Sequence, residues 1–234
     1  MNARLRSIFE CIDPASCGVA DVGTDHGILP VALALNGFRG NILASDIHEG
    51  PLQHAFNAAK DADVSDRIRF YLCDGLIEEF AAQIDTIIIA GMGGDLICSI
   101  IDRADWVLDP RYSLILQPMT KSEILRYYLT NNGFQISREI HVSERTHVYS
   151  VLCASFIDLN SSYKTIDLYT GNPADYTDPE LYLSLLMKLQ KEIQKKLLTR
   201  DKKGTPETEF YRELETQIIE AQNGMTGRNY GCKE

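Results

Sequence analysis

Asp21-Val22-Gly23-Thr24-Asp25-His26-Gly27 is the stretch whose reading decides the fold. An apolar run, Gly18 to Val22, enters it, and an apolar helical pattern, Ile28 to Leu35, leaves it. A second strand-like run, Asn41 to Ala44, ends in Ser45-Asp46. A glycine-bearing turn between strand and helix, with an acidic residue closing the next strand about 20 residues on, is the plan of a nucleotide-binding βαβ unit. The acidic residue can accept hydrogen bonds from both ribose hydroxyls. The turn departs from G-x-G-x-x-G, because Asp25 stands where the second glycine of a dinucleotide fold would lie. A carboxylate there repels a pyrophosphate. An adenosine cofactor without phosphate, S-adenosylmethionine, fits better.

Working outward, strands and helices alternate. Leu5 to Ile12 reads as a lead-in helix, Gly18 to Val22 as strand one and Ile28 to Asn36 as a helix with Pro30 in its first turn. Asn41 to Ala44 is strand two, and Pro51 to Asp61 a helix. Ile68 to Leu72 and the β-branched run Thr86 to Ala90 are strands three and four. Asp95 to Arg103 is a helix, Ser113 to Leu116 strand five, and Ser122 to Thr130 a helix stopped by Asn131-Asn132-Gly133. Phe134 to Val142 and His147 to Phe156 close the series as two strands. The expected architecture is α/β, a Rossmann-like class I methyltransferase sheet over residues 1–158. Beyond it, residues 160–170 are polar. Apolar positions then recur at Tyr182, Leu185, Leu186, Leu189, Ile193 and Leu197, and at Tyr211, Leu214, Ile218 and Ala221. This spacing predicts a C-terminal helical hairpin within residues 159–225, followed by a flexible tail over 226–234.

Composition narrows the class. No apolar run is long enough to span a membrane, and no secretory signal is visible at the N-terminus. The six cysteines are scattered without a C-x-x-C pair, so no zinc or redox site is expected and the chain reads as reduced and cytoplasmic. The net charge of −10 argues mildly against a nucleic-acid ligand, but its distribution is uneven. Seven basic residues (Lys188, Lys191, Lys195, Lys196, Arg200, Lys202, Lys203) and two acids fall between Lys188 and Lys203. A run of this kind is a solvated helix face or a phosphate-binding one.

In an open α/β sheet, ligands bind beyond the carboxyl ends of the strands. Those ends deliver Gly23 to Gly27, Asp46, Asp74-Gly75, Ala90-Gly91-Met92-Gly93-Gly94 and Gln117-Pro118-Met119 to one rim. Any one of them alone is a turn; five together mark a binding site.

The runs Val19 to His26, Asp74-Gly75-Leu76, Ile89 to Gly94 and Leu114 to Pro118 resemble the TrmK family, bacterial S-adenosylmethionine-dependent methyltransferases that modify N1 of adenosine 22 in tRNA. The resemblance extends over the whole chain, including a coiled-coil-like C-terminal domain. One departure is Met119, where the family often has Asn after Gln-Pro. The resemblance implies a cofactor pocket. Gly23 and Gly91 allow close backbone approach, Asp46 meets the ribose, Asp74 accepts from the adenine amine, and Gly75 leaves room for the ring. Asp21 orders the turn or meets the methionine amino group, and Met92 packs against the adenosine or the incoming base.

Transfer to a ring nitrogen needs alignment more than acid–base power. Asp25 is the candidate for stabilising the developing purine cation; its alternative role is to cap the following helix. His26 and Gln117 are candidates for substrate contact, and Lys188, Lys191 and Lys195 for tRNA phosphates. Arg4, Arg6, Lys121 and Arg126 are expected to extend that surface. Two other readings stay open: a methyltransferase acting on a small molecule or protein, and a non-catalytic relic with a partner-binding hairpin. No metal and no membrane contact are expected, and the oligomeric state is open.

Overall fold

The structure, a computed structural model, describes residues 1–144, 147–159, 163–199 and 205–228. The chain divides into two compact units, Met1–Ser162 and Tyr163–Glu234.

The first unit opens with α1 (Ala3–Glu10), capped by the Asn2 side chain, which accepts from Leu5 N. Strands β1 (Gly18–Val22), β2 (Asn41–Asp46), β3 (Ile68–Leu72), β4 (Thr86–Gly93) and β5 (Ser113–Thr120) then alternate with helices α2 (Ile28–Leu35), α3 (Glu49–Asp61), α4 (Glu78–Ala81), α5 (Gly94–Asp102) and α6 (Ser122–Asn131). Strands β6 (Phe134–Glu144) and β7 (His147–Phe156) form the closing pair. The sheet runs β3-β2-β1-β4-β5-β7-β6. The first five strands are parallel, and β7 enters antiparallel between β5 and β6.

Each central strand feeds both faces with period two. Ala20, Val22, Leu43, Ile87, Ile89, Leu114 and Leu116 pack on one face with Phe80, Ile97, Leu125 and Leu129. Val19, Ile42, Ile88 and Ile115 pack on the other with Ile8, Leu29, Leu33 and Ala59. Burial on both faces is why these strands read as unbroken apolar runs.

The structure departs from the sequence expectation at the rim. β4 continues through Gly93 and β5 through Thr120, paired past two register shifts as Met92↔Pro118 and Gly93↔Thr120. Residues 90–93 are therefore a bulged strand end rather than a loop, and Gly94 opens α5. Gly94 makes the close approach possible, since a Cβ there would lie 2.2 Å from the Lys121 carbonyl oxygen.

In the second unit, α7 (Thr165–Thr170) forms where only a polar segment was expected, because Ile166 is buried and its N–H donates to Gln217 Oε1. α8 (Pro179–Thr199) and α9 (Pro206–Arg228) pack along the expected stripes, burying Tyr182, Leu186, Leu189, Ile193, Leu214 and Ile218. The side-chain pairs Gln190–Gln222 and Gln194–Glu215 make the hairpin antiparallel. Helix α9 runs to Arg228, past the expected start of a tail at 226. Residues 229–234 lie outside the described residues, as do Arg200, Lys202 and Lys203. Among the described residues no helix is long and apolar enough to cross a membrane.

Candidate active site

The turn after β1 is fastened to the end of β2. Gly23 N and Thr24 N both donate to the Ser45 carbonyl, at 2.8 and 2.9 Å. Gly23 takes φ +77, and a Cβ there would fall 2.1 Å from Met92 Cε. Glycine at 23 thus lets the β4 end lie against the β1 end. A 3-10 turn, Asp25–Gly27, follows, in which His26 and Gly27 both have positive φ. Gly27 packs onto α3, where a Cβ would meet Ala55 at 2.9 Å. The His26 ring stacks on His54 with centroids 5.4 Å apart.

A cleft of about 440 Å³ opens on this rim, lined by Asp21, Gly23, Asp25, His26, Asp46, Gly91, Met92, Met119 and Arg4 among others. A smaller cavity of about 150 Å³ continues it, lined by Val22, Cys73, Asp74, Gly75 and Ile100. The two share Gly23, Asp46, Ile47, Met92 and Leu96. The groove therefore carries acids in sequence: Asp21 and Asp25 at one end, Asp46 in the shared middle, Asp74 at the apolar end.

Each acid sits differently. Asp21 is buried, and loss of water pushes its pKa up to about 6, with the Asp46 charge adding and the Thr24 hydroxyl opposing. Asp46 Oδ1 accepts from His48 N at 2.8 Å, which fixes the carboxylate at the strand end. Asp74 receives both Arg103 Nη1 (2.6 Å) and Nη2 (3.1 Å), a fork that holds its carboxyl below the usual range. Gly75 keeps φ +75, and a Cβ there would press on Ile100 Cγ2 at 3.2 Å. Asp25 is 70 % exposed, with His26 Nε2 3.4 Å away. It caps nothing: neither the 3-10 turn nor α2 has a side-chain cap, and Gly27 in the left-handed region starts α2. The helix-cap alternative for Asp25 is corrected on that ground.

Two further expectations are corrected. Gln117 is fully buried, so it offers substrate no surface. Its Oε1 accepts from Arg4 Nη1 at 2.5 Å and from Gly91 N at 3.3 Å, while Nε2 donates to the Pro118 carbonyl at 2.7 Å. It is a strut holding the β4 and β5 ends and α1 together. Arg126 is 1 % exposed and spent on Glu139 and Ser150 Oγ, so it adds nothing to a surface. Lys121 is ion-paired to Asp95, and Arg6 is exposed on α1. In the second unit Lys188, Lys191 and Lys195 are exposed on α8, while Lys196 reaches over the Tyr211 ring.

The sequence reading gave Arg4 only a place on a general basic surface and passed over Ile47, Leu96 and Arg103. Ile47 carried a usable signal, an apolar residue directly after the ribose-type acid. Arg4 lies on α1 and Arg103 directly follows α5, both away from the rim motifs in sequence, and only tertiary packing brings them to the rim.

The sheet order and this groove on its carboxyl edge define the class, a Rossmann-like class I methyltransferase. The sequence profile of the family described as Methyltransferase domain matches residues 1–152. The tRNA (adenine(22)-N(1))-methyltransferase of Bacillus subtilis (strain 168) is 31% identical over 171 residues, 73% of this chain and 71% of that relative. The crystal structure of Sp1610 from Streptococcus pneumoniae, in complex with S-adenosyl-L-methionine, matches with TM-score 0.78 at 28% identity, covering 95% of this chain and 99% of that one. TrmK of M. capricolum in complex with S-adenosyl-homocysteine shares the fold at TM-score 0.75 and 23% identity, over 97% of this chain and 98% of that one. The chain belongs to the methyltransferase family, in its TrmK branch.

Proposed function

We propose that this protein transfers a methyl group from S-adenosylmethionine to N1 of adenosine 22 in tRNA. The observation that carries the reading is the groove with its acids in order, in a chain of the TrmK branch. The donor set fits the methyl donor's three parts. Asp21 is matched to the ammonium, Asp46 to the ribose hydroxyls, and Asp74 to the adenine amine. A carboxylate has about four lone-pair sites, so Asp74 held by Arg103 keeps acceptor capacity. Met92 packs beside the adenosine, with Gly23, Gly75 and Gly91 leaving room. When bound, the donor supplies a methyl group on a sulfonium, ready for in-line displacement.

The remaining work is the protein's own. Adenine N1 carries a free lone pair, so no proton has to leave before attack. Positive charge then develops on the purine, and the exposed Asp25 carboxylate at the cleft stabilises it and accepts a hydrogen bond from the amine. His26, held against His54, forms the neighbouring wall. The target base leaves its stack to reach the cleft. Lys188, Lys191 and Lys195 hold tRNA phosphates. A tRNA substrate puts the activity in the cytoplasm. Mass spectrometry of nucleosides tests the reading: tRNA incubated with protein and S-adenosylmethionine should yield 1-methyladenosine, and tRNA with guanosine at position 22 should not. No product from either overturns it.

A further inference from the structure

Arg4 stands apart from the other cations of the sheet unit's rim. Arg103 pairs with Asp74, Lys121 with Asp95, and the buried Arg126 with Glu139. Arg4 has no carboxylate partner among the described residues; it gives Nη1 to the neutral Gln117 and lines the cleft. A guanidinium has five N–H donors, so most remain for another ligand. Its carbon lies 5.8 Å from the centroid of the Tyr149 ring. The Tyr149 ring in turn lies 6.0 Å from the His147 ring, nearly parallel at 19°. These two aromatics are i and i+2 on β7 and share a face.

The register places this row on the active rim. β5 runs toward the rim, and β7 pairs with it antiparallel, Ser113↔Ser155 through Leu116↔Leu152. Passing back from Leu152 to His147 therefore continues in the direction of the β5 carboxyl end, for about 17 Å at ordinary strand rise. The row Arg4, Tyr149, His147 leads away from the methyl-transfer cleft along the β6–β7 pair.

We propose that this row is the landing strip for the nucleotides that flank the flipped target base, a role that rests on the proposed tRNA activity. Arg4 takes a phosphate next to the target nucleotide, and Tyr149 with His147 stacks a neighbouring base. Alternating positive charge and aromatic rings is how proteins hold unpaired nucleotides without reading their sequence. The guanidinium, bonded only to a neutral amide, selects an anionic ligand over a neutral or cationic one.

The test uses full-length protein and tRNA carrying 2-aminopurine in turn at each nucleotide adjoining adenosine 22. Wild type should quench one of these probes on binding. Tyr149→Phe, which keeps the ring, should preserve the quench. Tyr149→Ala should abolish it and raise the KM for tRNA about tenfold, with S-adenosylmethionine affinity unchanged. Arg4→Gln removes the charge and keeps a polar side chain. It should lower the salt dependence of tRNA binding by about one phosphate contact. Should Tyr149→Ala melt early, Arg4→Gln decides alone. Unchanged quench and KM in Tyr149→Ala, or an unchanged salt slope in Arg4→Gln, overturns the inference while wild type still makes 1-methyladenosine. Absence of that product with wild type overturns the proposed function first.

Discussion

Asp25 projects from a 3-10 turn with its carboxylate free of any capping duty. Asp25→Ala should therefore leave the melting temperature nearly unchanged, where loss of a cap would cost about 1 kcal/mol. Single-turnover methylation should fall about a hundredfold with cofactor affinity intact. Asp46→Ala should act in the opposite way, removing two charge-assisted hydrogen bonds worth about 3–5 kcal/mol together, which calorimetry with S-adenosylmethionine measures directly. Asp21 predicts a pH dependence. Its folded pKa of about 6 stands above the ordinary 3.8, so the folded chain favours the protonated acid. The stability this gives is complete below the ordinary value and is lost as pH rises through about 6. Asp21→Asn should flatten that dependence in melts between pH 4 and 8. Meeting an ammonium needs the ionised form, so wild-type cofactor affinity should weaken as pH falls through about 6. Affinity that is flat across pH 5 to 8 would remove Asp21 from the cofactor site.

At the level of elements, α6 and the β6–β7 pair are joined by a buried ionic group that no local pattern announces. Arg126 on α6 meets Glu139 on β6 and Ser150 on β7, and His141 bonds Ser150 through Nδ1 at 3.0 Å. Burial holds His141 neutral, its pKa pushed down to about 4. Arg126→Met leaves the Glu139 charge buried and unanswered, and should cost about 3–5 kcal/mol in a denaturant titration. Arg126→Met with Glu139→Leu should recover most of that. In sequence, Arg126 is one more basic residue on an amphipathic helix. Its i+3 and i+4 neighbours on α6 are apolar or polar without charge, and its acid lies thirteen residues on. The strands were legible for the converse reason: a strand buried on both faces must be apolar along its buried length, as Ile87 to Ile89 is. Their rim extensions were not, because the Met92↔Pro118 pairing depends on two glycines that read as a loop.

Across the whole molecule, charge is divided unevenly. A chain with net charge −10 carries a basic stretch on one helix of its second unit, and that helix's apolar stripe is already used against α9. The stripe was readable because Leu186, Leu189 and Ile193 recur at helical spacing. What the lysines bind was not, because a solvated face and a phosphate-binding face have the same sequence. Lys188, Lys191 and Lys195 step by three and four along α8 and are all exposed, so they share one face. Phosphate contacts contribute affinity and salt dependence without reading sequence. Replacing the three with Glu should weaken binding to every tRNA alike and make the salt slope shallower by about 2–3, while leaving S-adenosylmethionine binding as in wild type. Because the substituted positions are solvent-facing, the melt should move little. Filter binding over a salt series reads the outcome. Wild-type affinity at every salt concentration would make the face merely solvated, and tRNA would then be held by the sheet unit alone, with Arg4 its first phosphate contact.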